Sequence, residues 1–64
     1  MKQHYVVQAV MYHWSQEFQC PMGAFCTREE LGGALKGKGV LRYKIKKVDD
    51  EPVANWEAAE WTPV

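Results

Sequence analysis

The sequence has no long hydrophobic run. Its apolar stretches are only a few residues long, far below the ~18 consecutive apolar residues that a membrane-spanning helix needs. No basic start leads into an apolar run with a small-residue cleavage site, which is the pattern of a secretory signal. We therefore expect no membrane association and a location in the cytoplasm. A length of 64 residues allows one domain.

Signatures of catalysis and of metal binding are also scarce. The Gly-Lys-Gly stretch at 37–39 lacks the residues that would complete a phosphate-binding P-loop. Cys20 and Cys26 do not have the spacing of a Cys-x-x-Cys zinc motif, and His4 and His13 fall on opposite sides of a predicted strand. We expect a protein that is not an enzyme, with no catalytic residue, no cofactor and no metal ion.

Only two cysteines are present, and their state follows from the expected compartment. Because disulfides are disfavoured in the cytoplasm, we predict that Cys20 and Cys26 are buried, reduced thiols. A disulfide- or metal-stabilised module is the alternative.

The charges are balanced in number but separated along the chain. The sequence has 47% apolar and 12% aromatic residues, which is too hydrophobic for a disordered chain and indicates a packed core. Eight basic and eight acidic residues give a formal net charge of zero. Six of the basic residues lie between 36 and 47, and none follows Lys47, where the chain becomes acidic. Such local separation says more about binding partners than the net charge does.

A capping box predicts where the helix begins. The Thr27 hydroxyl can accept from the Glu30 amide, and the Glu30 carboxylate can accept from the Thr27 amide. Glu29 and Glu30 therefore suit a helix start better than an acid/base pair. The apolar stripe that packs this helix consists of Leu31, Ala34 and Leu35, and glycines at 37 and 39 predict its end.

Three segments are predicted to be strands. The first is 5–14, a turn at 15–17 leads to the second from Phe18, and the third is 40–48. Pro21 must end the second strand or lie at a sheet edge. The order predicts an α+β fold, strand-strand-helix-strand. Its three-stranded antiparallel sheet has the last strand beside the first and one helix on one face.

The third strand alternates apolar and basic residues. Leu41, Tyr43 and Ile45 share one side and are expected to face the core, whereas the other side is exposed and carries Arg42, Lys44 and Lys46. Such a row is typical of a solvated sheet face, but it can also bind an acidic partner. The adjacent acidic residues argue against a nucleic-acid target.

The first strand is apolar on both sides, although one helix can cover only one of them. The second face must be covered by the C-terminal segment with Trp56 and Trp61, by a partner, or by solvent. We therefore divide the chain into a domain at 1–48 and an acidic, Trp-containing tail at 49–64. The tail is expected to hold a short helix capped by Asn55.

The central stretch FQCPMGAFCTREEL resembles the small inhibitors of host RNA polymerase that lytic phages of the T-seven type make early in infection. The similarity covers about Val7 to Lys47, with a gap of a few residues in the helix. The residues that carry it are Phe18, Pro21, Ala24, Glu30 and Leu31, with Lys44 and Lys46 at the two basic positions of the last strand.

This resemblance implies a function as well as a fold. It implies a monomeric protein that binds the jaw region of the largest subunit of bacterial RNA polymerase, at the downstream DNA channel, and inhibits host transcription. Strand cations would engage acidic residues of the jaw, and here they are Arg42, Lys44, Lys46 and Lys47. An acidic face would keep DNA out of the channel, and its candidates are Glu17, Glu29, Glu30, Asp49, Asp50 and Glu51. The alternative is a small nucleic-acid-binding accessory protein that uses the same basic strand.

Overall fold

The computed structural model describes the backbone of all 64 residues and every side chain except that of Met22. The described residues form an α+β fold with one α-helix and an antiparallel sheet of five strands. In chain order these elements are β1 (Tyr5–Val10), β2 (Ser15–Gln19), α1 (Arg28–Gly37), β3 (Arg42–Val48), β4 (Glu51–Pro52) and β5 (Thr62–Pro63). Among the described residues, no helix is long and apolar enough to cross a membrane.

The three longer strands have the predicted order, with β1 in the centre. Val7 of β1 lies opposite Phe18 of β2 on one side and opposite Ile45 of β3 on the other, and both pairings are antiparallel. β2 forms an edge of the sheet and ends before Pro21, as the proline requires. The predicted number of strands is corrected, because the tail adds β4 and β5, which both pair with the outer edge of β3.

The hairpin between β1 and β2 turns earlier than predicted. β1 ends at Val10 rather than at Trp14, and the N–H of Met11 donates to the carbonyl of Trp14 at 2.7 Å. The predicted turn, Ser15–Glu17, is part of β2. Most side chains of β2 are exposed, so this edge strand is held by backbone pairing and carries little of the apolar signal from which strands are predicted.

The predicted start of the helix is confirmed. The amide of Glu30 donates to the Thr27 hydroxyl at 3.1 Å, and the amide of Thr27 donates to the Glu30 carboxylate at 3.3 Å. The helix ends in a turn in which Gly39 has φ 79°, a left-handed conformation that glycine adopts without steric cost.

The core lies between α1 and one face of the sheet. Leu31 and Leu35 are each 1% exposed, and Val7 and Ala9 are fully buried. Leu41 is an exception to the predicted pattern. It precedes β3 at the end of the sheet and is 56% exposed.

The prediction of two separate thiols is wrong, because the structure joins Cys20 and Cys26 in a disulfide. Their Cα atoms are 5.9 Å apart and both residues are 2% exposed. A 3-10 turn at Pro21–Gly23 takes the chain away from this edge, and Cys26 rejoins it further along, where it pairs with Gln3 through two backbone hydrogen bonds of 2.8 Å. Backbone bonds from Cys20 to Tyr5 and from Cys26 to Gln3 place the two side chains together, and the cysteine spacing alone does not reveal these bonds.

Candidate functional site

The tail covers the sheet face that α1 leaves open. Between β4 and β5 the chain leaves the sheet edge and crosses this face, and we call residues 53–61 the arch. A 3-10 helix at Trp56–Ala58 lies in the arch, and Trp56 and Trp61 are both half-buried over the cations of β3. Of the three alternatives for the second face, the structure shows packing by the tail. The predicted short helix is present and Asn55 is its N-cap residue, but Asn55 is left-handed and its side chain makes no capping hydrogen bond.

Lys44 holds the arch to the sheet. Its Nζ donates to the carbonyl of Glu57 at 2.7 Å and to that of Ala59 at 3.4 Å, and lies 4.3 Å from the centroid of the Trp61 ring. Lys44 is only 9% exposed. The prediction that its ammonium lies on an open surface is therefore wrong. Alternation placed Lys44 on the correct face but could not show that the arch covers it.

Lys46 is also engaged within the molecule. Its Nζ lies 2.8 Å from the Glu17 carboxylate across β1 and 4.8 Å from the centroid of the Trp56 ring. The hydrogen bond and charge of Lys46, with a smaller contribution from the charge of Lys47, hold the pKa of Glu17 below its ordinary value. Glu17, predicted to repel DNA, is therefore neutralised by a partner on the same sheet.

A β-bulge at the end of β3 was not predicted. Val6 lies opposite Lys47, whereas the next residue of β1, Val7, lies opposite Ile45, so Lys46 is the extra residue. The simple alternation of β3 is therefore interrupted at Lys46. Of the four predicted partner-binding cations, Arg42 and Lys47 are the ones classed as exposed, and Arg42 also lies 5.4 Å from the centroid of Trp61.

Five predicted DNA-repelling carboxylates come together at one end of the molecule. The antiparallel pairing places the end of β3 beside the start of β1, and the bridge between Gln3 and Cys26 brings the start of α1 to the same place. We call this the acidic end, and its exposed carboxylates are Glu29, Glu30, Asp49, Asp50 and Glu51. Three cations also lie here, namely Lys2, Arg28 and Lys47, so the carboxylates are in excess.

The opposite end of the molecule is basic. α1 runs from the acidic end to this one and finishes beside the start of β3, where Lys36, Lys38 and Arg42 are all exposed. We call these three residues the basic end. The length of β1 separates the two ends by about 17 Å. The carboxylates at the start of α1 and the lysines at its end also complement the helix dipole.

Exposed aromatic residues lie at the basic end, and the sequence analysis missed them. Tyr12 is 80% exposed and Trp14 is 57% exposed. Both were assigned to the first strand, on the side that the helix does not cover. The sequence signal that could have found them is the polarity of residues 15–17. Polar residues also suit an exposed edge strand, and if 15–17 belong to such a strand, the turn must lie within 11–14.

The histidines and cysteines do not form a metal site. His4 lies beside the Phe25 ring, with 5.9 Å between centroids, whereas His13 contacts the Tyr12 ring in the hairpin turn. In the described part of the chain, no three His, Cys, Asp or Glu residues are placed to hold a metal ion. What the described residues do offer is electrostatic binding, through the exposed cations of the basic end and the exposed carboxylates of the acidic end.

Comparison of the chain with protein-family models, curated proteins and solved structures finds no match.

Proposed function

We propose that this chain is a phage-encoded inhibitor that binds the jaw region of the largest subunit of bacterial RNA polymerase and acts in the host cytoplasm without catalysis. The observation that carries the proposal is the separation of charge between the basic end and the acidic end. A protein that must bind one charged surface and repel another needs two such ends. The resemblance in the central stretch supplies the identity of the target.

The basic end is the part that would dock on acidic residues of the polymerase. Lys36, Lys38 and Arg42 are exposed, and the guanidinium of Arg42 can pair with a carboxylate through two parallel hydrogen bonds. Lys44 is withdrawn from this role because its ammonium is bonded to the arch. Opposite charges on the partners would accelerate association and fix the orientation of the complex.

The acidic end would then point away from the docked surface, toward the path of the downstream DNA. Its carboxylates oppose phosphates at distances within the screening length of about 8 Å that holds at physiological ionic strength. Glu29, Asp50 and Glu51 are exposed and belong to none of the ion pairs or side-chain hydrogen bonds found among the described residues. These three carboxylates are therefore the ones we assign to repulsion of DNA.

In the reducing cytoplasm, where we propose that the protein acts, the bond between Cys20 and Cys26 is exposed to reduction. Cytoplasmic thiols are kept reduced, so action in the cytoplasm requires that the fold does not depend on the bond between Cys20 and Cys26. The side chains around them belong to the core formed by α1 and β1. We therefore expect the reduced protein to keep its fold and its binding.

The proposal is tested with purified, DNA-free bacterial core polymerase. The variant Lys38→Glu with Arg42→Glu reverses two exposed cations at the basic end, and the matched control Lys2→Glu with Arg28→Glu makes the same charge change at the acidic end. The parent and the control should bind polymerase and inhibit transcription from a DNA template, whereas the basic-end variant should lose both. Equal binding by both variants, or no binding by the parent, would refute the proposal.

Nucleic-acid binding is the second candidate, and the exposed Tyr12 and Trp14 beside cations favour it, because such rings can stack on bases. The five carboxylates of the acidic end and the net charge of zero oppose it. A short oligothymidylate bound by the parent and released by the basic-end variant, without binding to polymerase, would favour this alternative.

A further inference from the structure

Four apolar residues lie side by side at the basic end, outside the core. Each one lies next to the end of a different strand of the sheet, namely β2, β1, β3 and β5. We call them the apolar row, and they are Trp14, Met11, Leu41 and Val64. Trp14, Leu41 and Val64 are 57%, 56% and 44% exposed, and Met11 is half-buried against the core.

Backbone hydrogen bonds place these residues together. The N–H of Met11 donates to the carbonyl of Trp14 at 2.7 Å, and the N–H of Val64 donates to the carbonyl of Leu41 at 3.2 Å. The segments of Met11 and Leu41 are joined by a bond of 2.8 Å from the Leu41 N–H to the Val10 carbonyl. Trp14 is thereby held beside Met11, and Val64 beside Leu41, at the same end of the sheet.

The row extends the face of the sheet that carries the core. Tyr5, Val7 and Ala9 point toward α1, and Met11 continues their parity. The helix ends at Gly37, so the row lies beyond the end of the element that covers the rest of this face. Its exposed side chains therefore lie near one another at one end of the sheet and are not scattered singly over the surface.

The charged side chains in the segments that supply the row have one sign. The segments that supply it, 10–16, 36–42 and 62–64, contain Lys36, Lys38 and Arg42 and no Asp or Glu. All three cations are exposed. A surface with an apolar centre and a cationic rim is complementary to a protein segment in which carboxylates alternate with apolar side chains.

We propose that the apolar row, with its cationic rim, is a docking surface for an acidic protein segment that inserts apolar side chains between Trp14 and Leu41. The inference extends the proposed function by naming the surface that makes contact, and it rests on that function only for the identity of the partner. Trp14 is the anchor because a large exposed aromatic residue contributes most to such interfaces.

The chemistry of the row favours a protein over the other occupants. Met11, Leu41 and Val64 are aliphatic or thioether side chains, which pack against apolar side chains, so Trp14 is the one member of the row with a ring on which a base could stack. A second copy of the chain placed row against row would oppose two sets of cations. Both alternatives are outcomes of the test.

The probe is a short synthetic peptide in which Asp and Glu alternate with Leu and Phe, labelled for fluorescence anisotropy. Control probes are the same peptide with Lys in place of each acid and a short oligothymidylate. The row variant is Trp14→Ser with Leu41→Ser, and the matched control is Phe25→Ser, which removes a 59% exposed aromatic residue near the acidic end. Circular dichroism checks that each variant is folded, and amide chemical-shift mapping on the parent locates the bound peptide without any substitution.

The parent and Phe25→Ser should bind the acidic peptide, the row variant should bind it at least about tenfold more weakly, and the shifts should centre on Trp14 and Leu41. Equal binding by the row variant, shifts elsewhere, or tighter binding of the basic peptide or the oligothymidylate would overturn the inference, as would concentration-dependent dimerisation that the row variant abolishes. Polymerase binding that is undiminished in the row variant would also overturn it while leaving the proposed function intact. Row-dependent peptide binding without polymerase binding would support the row and refute the proposed function.

Discussion

Lys44→Glu tests how much the buried cation of Lys44 contributes to holding the arch on the sheet. The substitution removes the charge-assisted hydrogen bond to the Glu57 carbonyl, which contributes about 1.5–3 kcal/mol, and cation–π contacts worth about 0.5–2 kcal/mol. It also places a carboxylate against carbonyl oxygens at a position that is 9% exposed. Because these effects overlap and are not additive, we expect a total loss of about 3–5 kcal/mol, as for an uncompensated buried charge.

The new carboxylate can return to water if the arch detaches, so the loss should be visible first in the tail. Trp56 and Trp61 would become exposed, and the tryptophan emission should shift to longer wavelength before the sheet unfolds. The melting temperature should fall by at least about 12 °C. Sequence alternation alone predicts the opposite result, since it places Lys44 on an open face where Glu would leave the fold intact.

The matched control is Lys47→Glu, which makes the same charge change on the same strand at an exposed position. We expect the control to change stability by no more than about 0.5 kcal/mol. Urea denaturation followed by circular dichroism and by tryptophan emission measures both variants. If Lys44→Glu melts and fluoresces like Lys47→Glu, Lys44 does not hold the arch.

Three further predictions concern the core, the disulfide and pH. Leu35→Ala should destabilise the protein by about 2–5 kcal/mol, and an unchanged melting temperature would show that α1 is not packed on the sheet. Reduction of the bond between Cys20 and Cys26 opens a short loop and should remove about 2 kcal/mol of stability, while the circular dichroism spectrum stays that of a folded protein; complete unfolding would contradict the proposed action in a reducing cytoplasm. The stabilisation of ionised Glu17 by Lys46 should be fully present above an unfolded-state pKa of about 4.3 and be lost as the pH falls through the lower folded-state pKa. Glu17→Gln should therefore lose less stability on acidification than the parent, and identical acid profiles would contradict the ion pair.

Signals that act between near neighbours in the chain predicted the elements that were right. The capping box at Thr27 and Glu30 involves residues three positions apart, so its hydrogen bonds form wherever a helix begins there. The apolar period of α1 and the two-sided apolar pattern of β1 likewise depend on local sequence. The position of β3 beside β1 followed from connection rules that leave few arrangements for so short a chain.

Contacts between distant segments decided the rest. The hairpin turn shifted because backbone pairing with β1, rather than side-chain polarity, recruits the edge strand β2. The disulfide forms because Cys20 and Cys26, which are six residues apart, both bond to the start of the chain, Cys20 at Tyr5 and Cys26 at Gln3.

The candidate site divides in the same way. The sequence by itself determined which residues carry charge and that basic and acidic residues are separated along the chain. Tertiary structure decided what surrounds each of those charges: the arch buries Lys44, and β2 presents Glu17 to Lys46. The Lys38 ammonium lies over the Phe18 ring of β2, 5.6 Å from its centroid. The physical reason is that a charged side chain can attract or repel a partner only if it is exposed and not already paired within the molecule. The groups that bury it or pair with it come from segments far apart in the chain.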